Sequence, residues 1–235
     1  MQKVFKISGI LNAISLIVLI LFLGVQLSGF GMWFYRWQYS ANNTYEVLNM
    51  EPQDLHEVTA HMIRYMQGRE PDLQIMTTVG GETRYFFSEI EIRHMIDVYE
   101  LFSAGLFIQN ILIALFLSTL ALFLIKGKAF FPHLLKCWKI GSIATLLALL
   151  SLVAIISINW HHAFVVFHEI FFDNDYWILD PRVDLLINAV PYPFFISISV
   201  FIGGFFAAGL ALIFVLSALG LRRIKRTQKK IMSPP

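Results

Sequence analysis

The chain has 235 residues, of which 57% are hydrophobic and only 14% charged, with a formal net charge of +2. A water-soluble domain of this length needs a charged surface that such a composition cannot supply. The few charges are also segregated. All sixteen acidic residues lie between Glu46 and Glu100 or between Glu169 and Asp184, whereas the lysines lie at Lys3 and Lys6, from Lys126 to Lys139 and from Lys225 to Lys230.

Four stretches without Asp, Glu, Lys or Arg separate these blocks: 7–35, 101–125, 140–160 and 194–221. Each exceeds the roughly 20 residues that cross a bilayer as a helix. The pattern predicts an all-α integral membrane protein, a single membrane domain over residues 1–235 with four transmembrane helices and two extracytoplasmic elaborations. Twelve of the eighteen cations lie on the lysine side, so the positive-inside rule puts both termini in the cytoplasm.

In chain order, the first span is too long for the apolar core of a signal peptide and ends in no small-residue cleavage site, so a retained helix is expected. The first outer segment, about 36–99, opens on Trp33, Phe34, Tyr35, Trp37 and Tyr39, a set expected at headgroup depth as an aromatic belt. Leu55, Val58, Met62 and Tyr65 or Met66 then recur at helical spacing within Glu51–Gln67. Gly68, Pro71 and Gly80-Gly81 mark turns, and the segment from Glu89 to Val98 runs without a breaker into the second span as its outer extension.

Cys137, the single cysteine, falls in the cytoplasmic loop before the third span. The second outer segment, about 161–193, begins with a helix in which His161 and His168 share a face and Phe164, Phe167, Phe171 and Phe172 cover much of the rest. Tyr176 and Trp177 continue the aromatic belt. Gly203, Gly204 and Gly209 make the last span slim, the mark of a helix packing surface. The basic tail, Arg222 to Lys230, is expected to anchor anionic lipid and not to bind nucleic acid.

On the outer extension of the second span, Glu91, His94 and Asp97 follow at i, i+3, and Arg93 and Asp97 stand one turn apart. A carboxylate above and below His94 would fix its tautomer and raise its basicity, as a general base requires. Other patterns carry less. His56 and His61 resemble a zincin pair but are five apart where the metal site needs four, so no metal is expected, and no G-x-S-x-G elbow supports a serine hydrolase.

Two outer motifs, Glu91-Ile-Arg-His-Met-Ile-Asp-Val98 and Phe167-His-Glu-Ile-Phe-Phe-x-Asn-x-x-Trp177, followed by Asp184-Leu-Leu-Ile187 and Pro191 to Phe195, resemble the bacterial lipoprotein intramolecular transacylase family over nearly the whole chain. The resemblance implies an enzyme of the cell membrane whose site faces the outer leaflet and whose substrate is a diacylglyceryl-modified lipoprotein. The sn-2 acyl chain would move to the α-amino group of the amino-terminal cysteine, giving the lyso-form. Donor and acceptor share one molecule, so no cofactor, acyl-CoA or second lipid is implied.

This chemistry suits the candidates. His94 and His168 are the expected acid/base pair, with Asp97 and Glu91 orienting or tuning His94 and Arg93 available to the oxyanion. His161, His162, Arg182 and Asp184 are second-line candidates. Direct attack by the amine is favoured over an acyl-imidazole because no helper base for an imidazole nucleophile is evident. The competing reading is a small transporter or assembly factor with a pH-sensing outer face, against which the near absence of intramembrane charge argues.

Overall fold

The structure is a computed structural model that describes residues 2–126 and 128–232. The side chains of Lys126, Lys128 and Lys230, which the charge asymmetry uses, lie outside the described residues. Among those described, four helices are long and apolar enough to cross a membrane: Gln2–Gly29, Glu89–Ile125, Phe131–Ile158 and Tyr192–Lys229. Large apolar side chains point outward along them, with Leu147 61% and Val200 67% exposed, as suits helices surrounded by lipid.

Helix α1 (Gln2–Gly29) stops before α2 (Met32–Ala41), so the uninterrupted span predicted for 7–35 is broken at Phe30-Gly31. Glycine is what permits the break. A Cβ on Gly31 would lie 2.1 Å from the Leu27 carbonyl oxygen, and the freed carbonyl accepts the Trp33 indole N–H at 3.1 Å. The turn can be made only at glycine.

A short helix, α3 (Thr44–Leu48), lies between Asn43 and Asn49, both left-handed with φ of 52° and 49°. Helix α4 (Pro52–Met66) buries the expected stripe of Leu55, Val58, Met62, Tyr65 and Met66. Gly80 and Gly81 both take positive φ, 63° and 84°, and close a two-residue hairpin of the type that needs φ > 0 at both central positions. Its strands, β1 (Met76–Val79) and β2 (Glu82–Tyr85), pair antiparallel with Met76 opposite Tyr85 and Val79 opposite Glu82. They are the described exception to an all-helical chain. The expected outer extension is present, since α5 (Glu89–Lys126) is continuous from Glu89. A 3-10 turn (Lys128–Phe130), α6 (Phe131–Ile158), α7 (Trp160–Phe171), α8 (Leu186–Ala189) and α9 (Tyr192–Met232) follow.

The chain divides into two compact units. One comprises Met1–Gly24, Ile108–Ile158 and Gly203–Pro235. Its organising polar group is the fully buried Asn12, a residue the hydropathy pattern conceals. Its amide donates to the Phe116 carbonyl at 3.0 Å and to Thr119 Oγ1 at 2.9 Å, and its carbonyl accepts the Trp138 indole N–H at 2.9 Å. One side chain thus ties α1, α5 and α6 where no water competes. Gly209 and Gly220 let α9 approach Ile20 and Leu135, with an added Cβ reaching 2.6 and 2.8 Å from them. Gly203 and Gly204 have no such neighbour, so only part of the predicted slim face packs.

The other unit comprises Val25–Phe107 and Asn159–Ile202 and holds the whole of both predicted outer segments. Phe34, Tyr35 and Tyr39 are buried in its core beside Phe86, Met95 and Phe194. The predicted aromatic belt is therefore divided: Trp33 and Trp37 stay outward, while the intervening rings turn inward because α2 is a helix with one face on this core.

Candidate functional site

Both candidate histidines belong to this second unit. His94 stands on the first turns of α5, outside the uncharged stretch 101–125, and His168 stands on α7. Their ring centroids are 6.1 Å apart, and Phe172 meets the His94 ring edge-on at 5.5 Å. Asn159 starts α7 by capping it, its side-chain oxygen accepting the His162 backbone N–H at 3.0 Å. That start turns Phe167, Ile170 and Phe171 outward and His168 inward.

His168 is held on several sides. Its Nδ1–H donates to the Phe164 carbonyl at 2.7 Å, which fixes the tautomer and leaves Nε2 as the lone-pair nitrogen. Trp177 stacks on the ring with centroids 4.6 Å apart, and Phe164 packs at 4.3 Å. Burial pushes the His168 pKa below the ordinary value, opposed by the hydrogen bond to Phe164.

His94 is more strongly perturbed. Burial, then the field of His168, bring its pKa down to about 4, and Asp97 acts in the opposite direction. The predicted gain in basicity is thus reversed, because removing an imidazolium from water costs more here than one carboxylate returns. Its Nδ1 is buried and has no hydrogen-bond partner among the described residues.

The carboxylates separate by role. Asp97 accepts the Asn174 side-chain amide at 2.9 Å, and Asn174 in turn accepts the Tyr176 backbone N–H at 3.0 Å. Asp97 and Asn174 line a cavity of about 150 Å³ with Phe171 and Phe172. Asn174 and Tyr176 thereby hold the elements around the histidines, although no helical periodicity points to them. The expected orientation of His94 by Glu91 is not what the structure has. Glu91 is fully buried, and its carboxylate accepts the backbone N–H groups of Ser88 and Leu186. Burial raises its pKa while those two donors lower it.

Arg93 pairs with Glu89 at 2.5 Å and donates to the Tyr176 hydroxyl at 3.3 Å, so its expected partner one turn on, Asp97, is engaged elsewhere. Asp184 accepts from Ser88 Oγ at 3.0 Å and from the Asp180 backbone N–H at 2.8 Å. It and Glu91 therefore clamp the 180–186 loop to the start of α5. Arg182 is exposed and paired with Asp180, His162 is exposed, and His161 is exposed with its ring centroid 6.1 Å from that of Tyr192.

The arrangement brings two imidazoles, both with pKa values lowered by burial, together beside apolar rings, a setting that suits proton transfer next to an apolar group. The chain matches the family model for lipoprotein intramolecular transacylase Lit over residues 10–195. It belongs to that family. The transacylase also resembles, at 22% identity and TM-score 0.78, the in meso structure of the membrane integral lipoprotein intramolecular transacylase Lit from Bacillus cereus, over 97% of this chain and 100% of that one. Two further structures of the Bacillus cereus protein, with one histidine replaced by arginine or by alanine, match at TM-score 0.72 and 22% identity. They cover 97% and 96% of this chain and 96% and 97% of theirs. These likenesses establish the shared fold. No curated protein sequence matches the chain significantly.

Among the described residues, no group of three or more His, Cys, Asp or Glu side chains is placed to hold a metal ion. His56 instead meets the Tyr45 hydroxyl at 2.8 Å, and His61 meets the Asp72 carbonyl at 2.8 Å. Purified transacylase is accordingly expected to keep its activity after treatment with EDTA and o-phenanthroline. Loss on chelation with recovery on adding zinc would return the histidines to a ligand role.

Proposed function

We propose that this transacylase moves the sn-2 acyl chain of a diacylglyceryl-modified lipoprotein to the α-amino group of its amino-terminal cysteine, with His94 and His168 carrying the proton. The approach of these two rings, contributed by two distant segments, is the observation that carries the reading. The nitrogen must lose one proton and the glyceryl oxygen must gain one, so a single proton passed through the pair balances the reaction. His168 Nε2 takes it from the attacking amine as the tetrahedral centre forms. His94 passes it to the departing oxygen. Because nucleophile and ester share one molecule, positioning supplies much of the rate.

The pH dependence follows from the direction of the shifts. His94, lowered to about 4, binds a proton only well below neutral pH, and His168 is also lowered. The α-amino group, with an ordinary pKa of roughly 7.7–8.0, loses its nucleophilic form first as pH falls. The expected kcat/KM therefore rises up to about pH 8 with no separate inflection near the ordinary histidine value of about 6.5. An inflection there that vanished in a histidine variant would contradict the buried, neutral pair.

The outer-leaflet assignment rests on the charge asymmetry, with termini cytoplasmic, the site outside the cell membrane and membrane lipid around the substrate's chains. Cys137 is expected to react only with membrane-permeant thiol reagents in intact cells, and a Glu82→Cys variant with impermeant ones. The reverse labelling would place the site on the cytoplasmic leaflet.

A further inference from the structure

An open surface depression, of about 710 Å³, lies between α2 and α4 and is lined by Met32, Arg36, Pro52, His56, Glu57 and Ala60 together with Gln53. None of these residues has a part in the acyl-transfer site. Among the described residues Arg36 makes no ion pair, and Glu57 receives only the Gln53 amide, at 3.2 Å. The Arg36 guanidinium is close enough to act on both His56 and Tyr45, whose side chains are hydrogen-bonded to each other at 2.8 Å. The depression therefore presents one exposed cation and one exposed anion, neither of them ion-paired among the described residues, over walls supplied by Met32, Pro52 and Ala60.

We propose that this depression binds a zwitterionic, amine-bearing phospholipid, with its phosphate on Arg36 and its ammonium on Glu57. Three features favour a lipid. Helix α2 starts just past the break that ends the first span. Trp33 and Trp37, 50% and 54% exposed, flank Arg36 on that helix, and amphipathic indoles of this kind settle at headgroup depth. The guanidinium fork matches a phosphate group, while the paired charges select a headgroup that carries both signs. The acyl shift consumes no second lipid, so this one is a resident of the enzyme and not a donor.

Native mass spectrometry of the full-length enzyme in detergent, with equal amounts of phosphatidylethanolamine, phosphatidylcholine and phosphatidylglycerol, tests the assignment. A predominant phosphatidylethanolamine adduct is expected. Arg36→Gln should lower it about tenfold, the order for one lost charge-assisted contact, and Arg36→Lys, which keeps the charge but loses the fork, should fall between the two. Glu57→Gln should remove the preference over phosphatidylcholine. Soluble phosphoethanolamine should not displace the lipid, since it lacks chains for the apolar walls. Equal binding of all three lipids by wild-type enzyme, an unchanged adduct in Arg36→Gln, or displacement by phosphoethanolamine would each overturn the proposal. So would Arg36-dependent capture of a diacylglyceryl lipoprotein without a phospholipid adduct.

Discussion

Replacing His94 or His168 with alanine is expected to lower lyso-lipoprotein formation by about two orders of magnitude or more, the scale of lost general acid/base catalysis. The two losses should not add. Both rings carry the same proton, so the double variant falls little further than either single one. Expression and membrane insertion should be unchanged, because the core around Phe34 and Leu55 keeps all its side chains, and thermal unfolding in detergent separates lost packing around the buried His168 from lost catalysis. His133, hydrogen-bonded to Lys6 and Cys137 in the other unit, is the internal control and should tolerate alanine. Wild-type conversion in both single variants, measured by mass spectrometry of a reporter's amino-terminal peptide, would remove the acid/base assignment.

Glu91→Ala is expected to act through stability. The substitution leaves the Ser88 and Leu186 N–H groups without an acceptor, in a place where Glu91 is fully buried. Each orphaned donor costs about 1–3 kcal/mol. The clamp on the 180–186 loop then depends on Asp184 alone, so the loop and the Trp177 that precedes it should loosen. Glu91→Gln should recover part of the loss, since its carbonyl restores one acceptor. Limited proteolysis and thermal unfolding in detergent measure this directly. A Glu91→Ala protein as stable as wild type, with an altered pH profile, would instead return Glu91 to the role of tuning His94.

The four membrane helices were legible in the sequence because absence of charge over a bilayer's thickness has few other causes. The α4 stripe and the extension at Glu89 were legible for a similar reason, an unbroken periodicity. What escaped depends on contacts between distant residues. Gly31 looks like any apolar-run glycine until the Leu27 carbonyl closes over its missing Cβ. Phe34, Tyr35 and Tyr39 fit an interfacial belt equally well as a core, and only the partner helices decide between them.

The candidate site shows the same division. Spacing brings Glu91 within reach of His94, yet Leu186, ninety-five residues on, takes its carboxylate. Counting nearby carboxylates predicted a more basic His94, whereas burial, invisible in a one-dimensional pattern, sets the opposite sign. Asn174 and Trp177 were present in the second motif, but their work requires the chain reversal after Phe171 that puts one on Asp97 and the other on His168.

Intramolecular transfer is tested most directly by a crossover experiment. One reporter lipoprotein carries a deuterated sn-2 chain and a nitrogen-15 peptide, and an equal amount of the second carries neither. After incubation with the purified transacylase, each amino-terminal peptide is weighed. Every amide-linked chain is predicted to match its own peptide, heavy on heavy and light on light. Mixed products in statistical proportion would contradict a single-molecule shift and require an acyl-enzyme open to exchange or a second lipid donor.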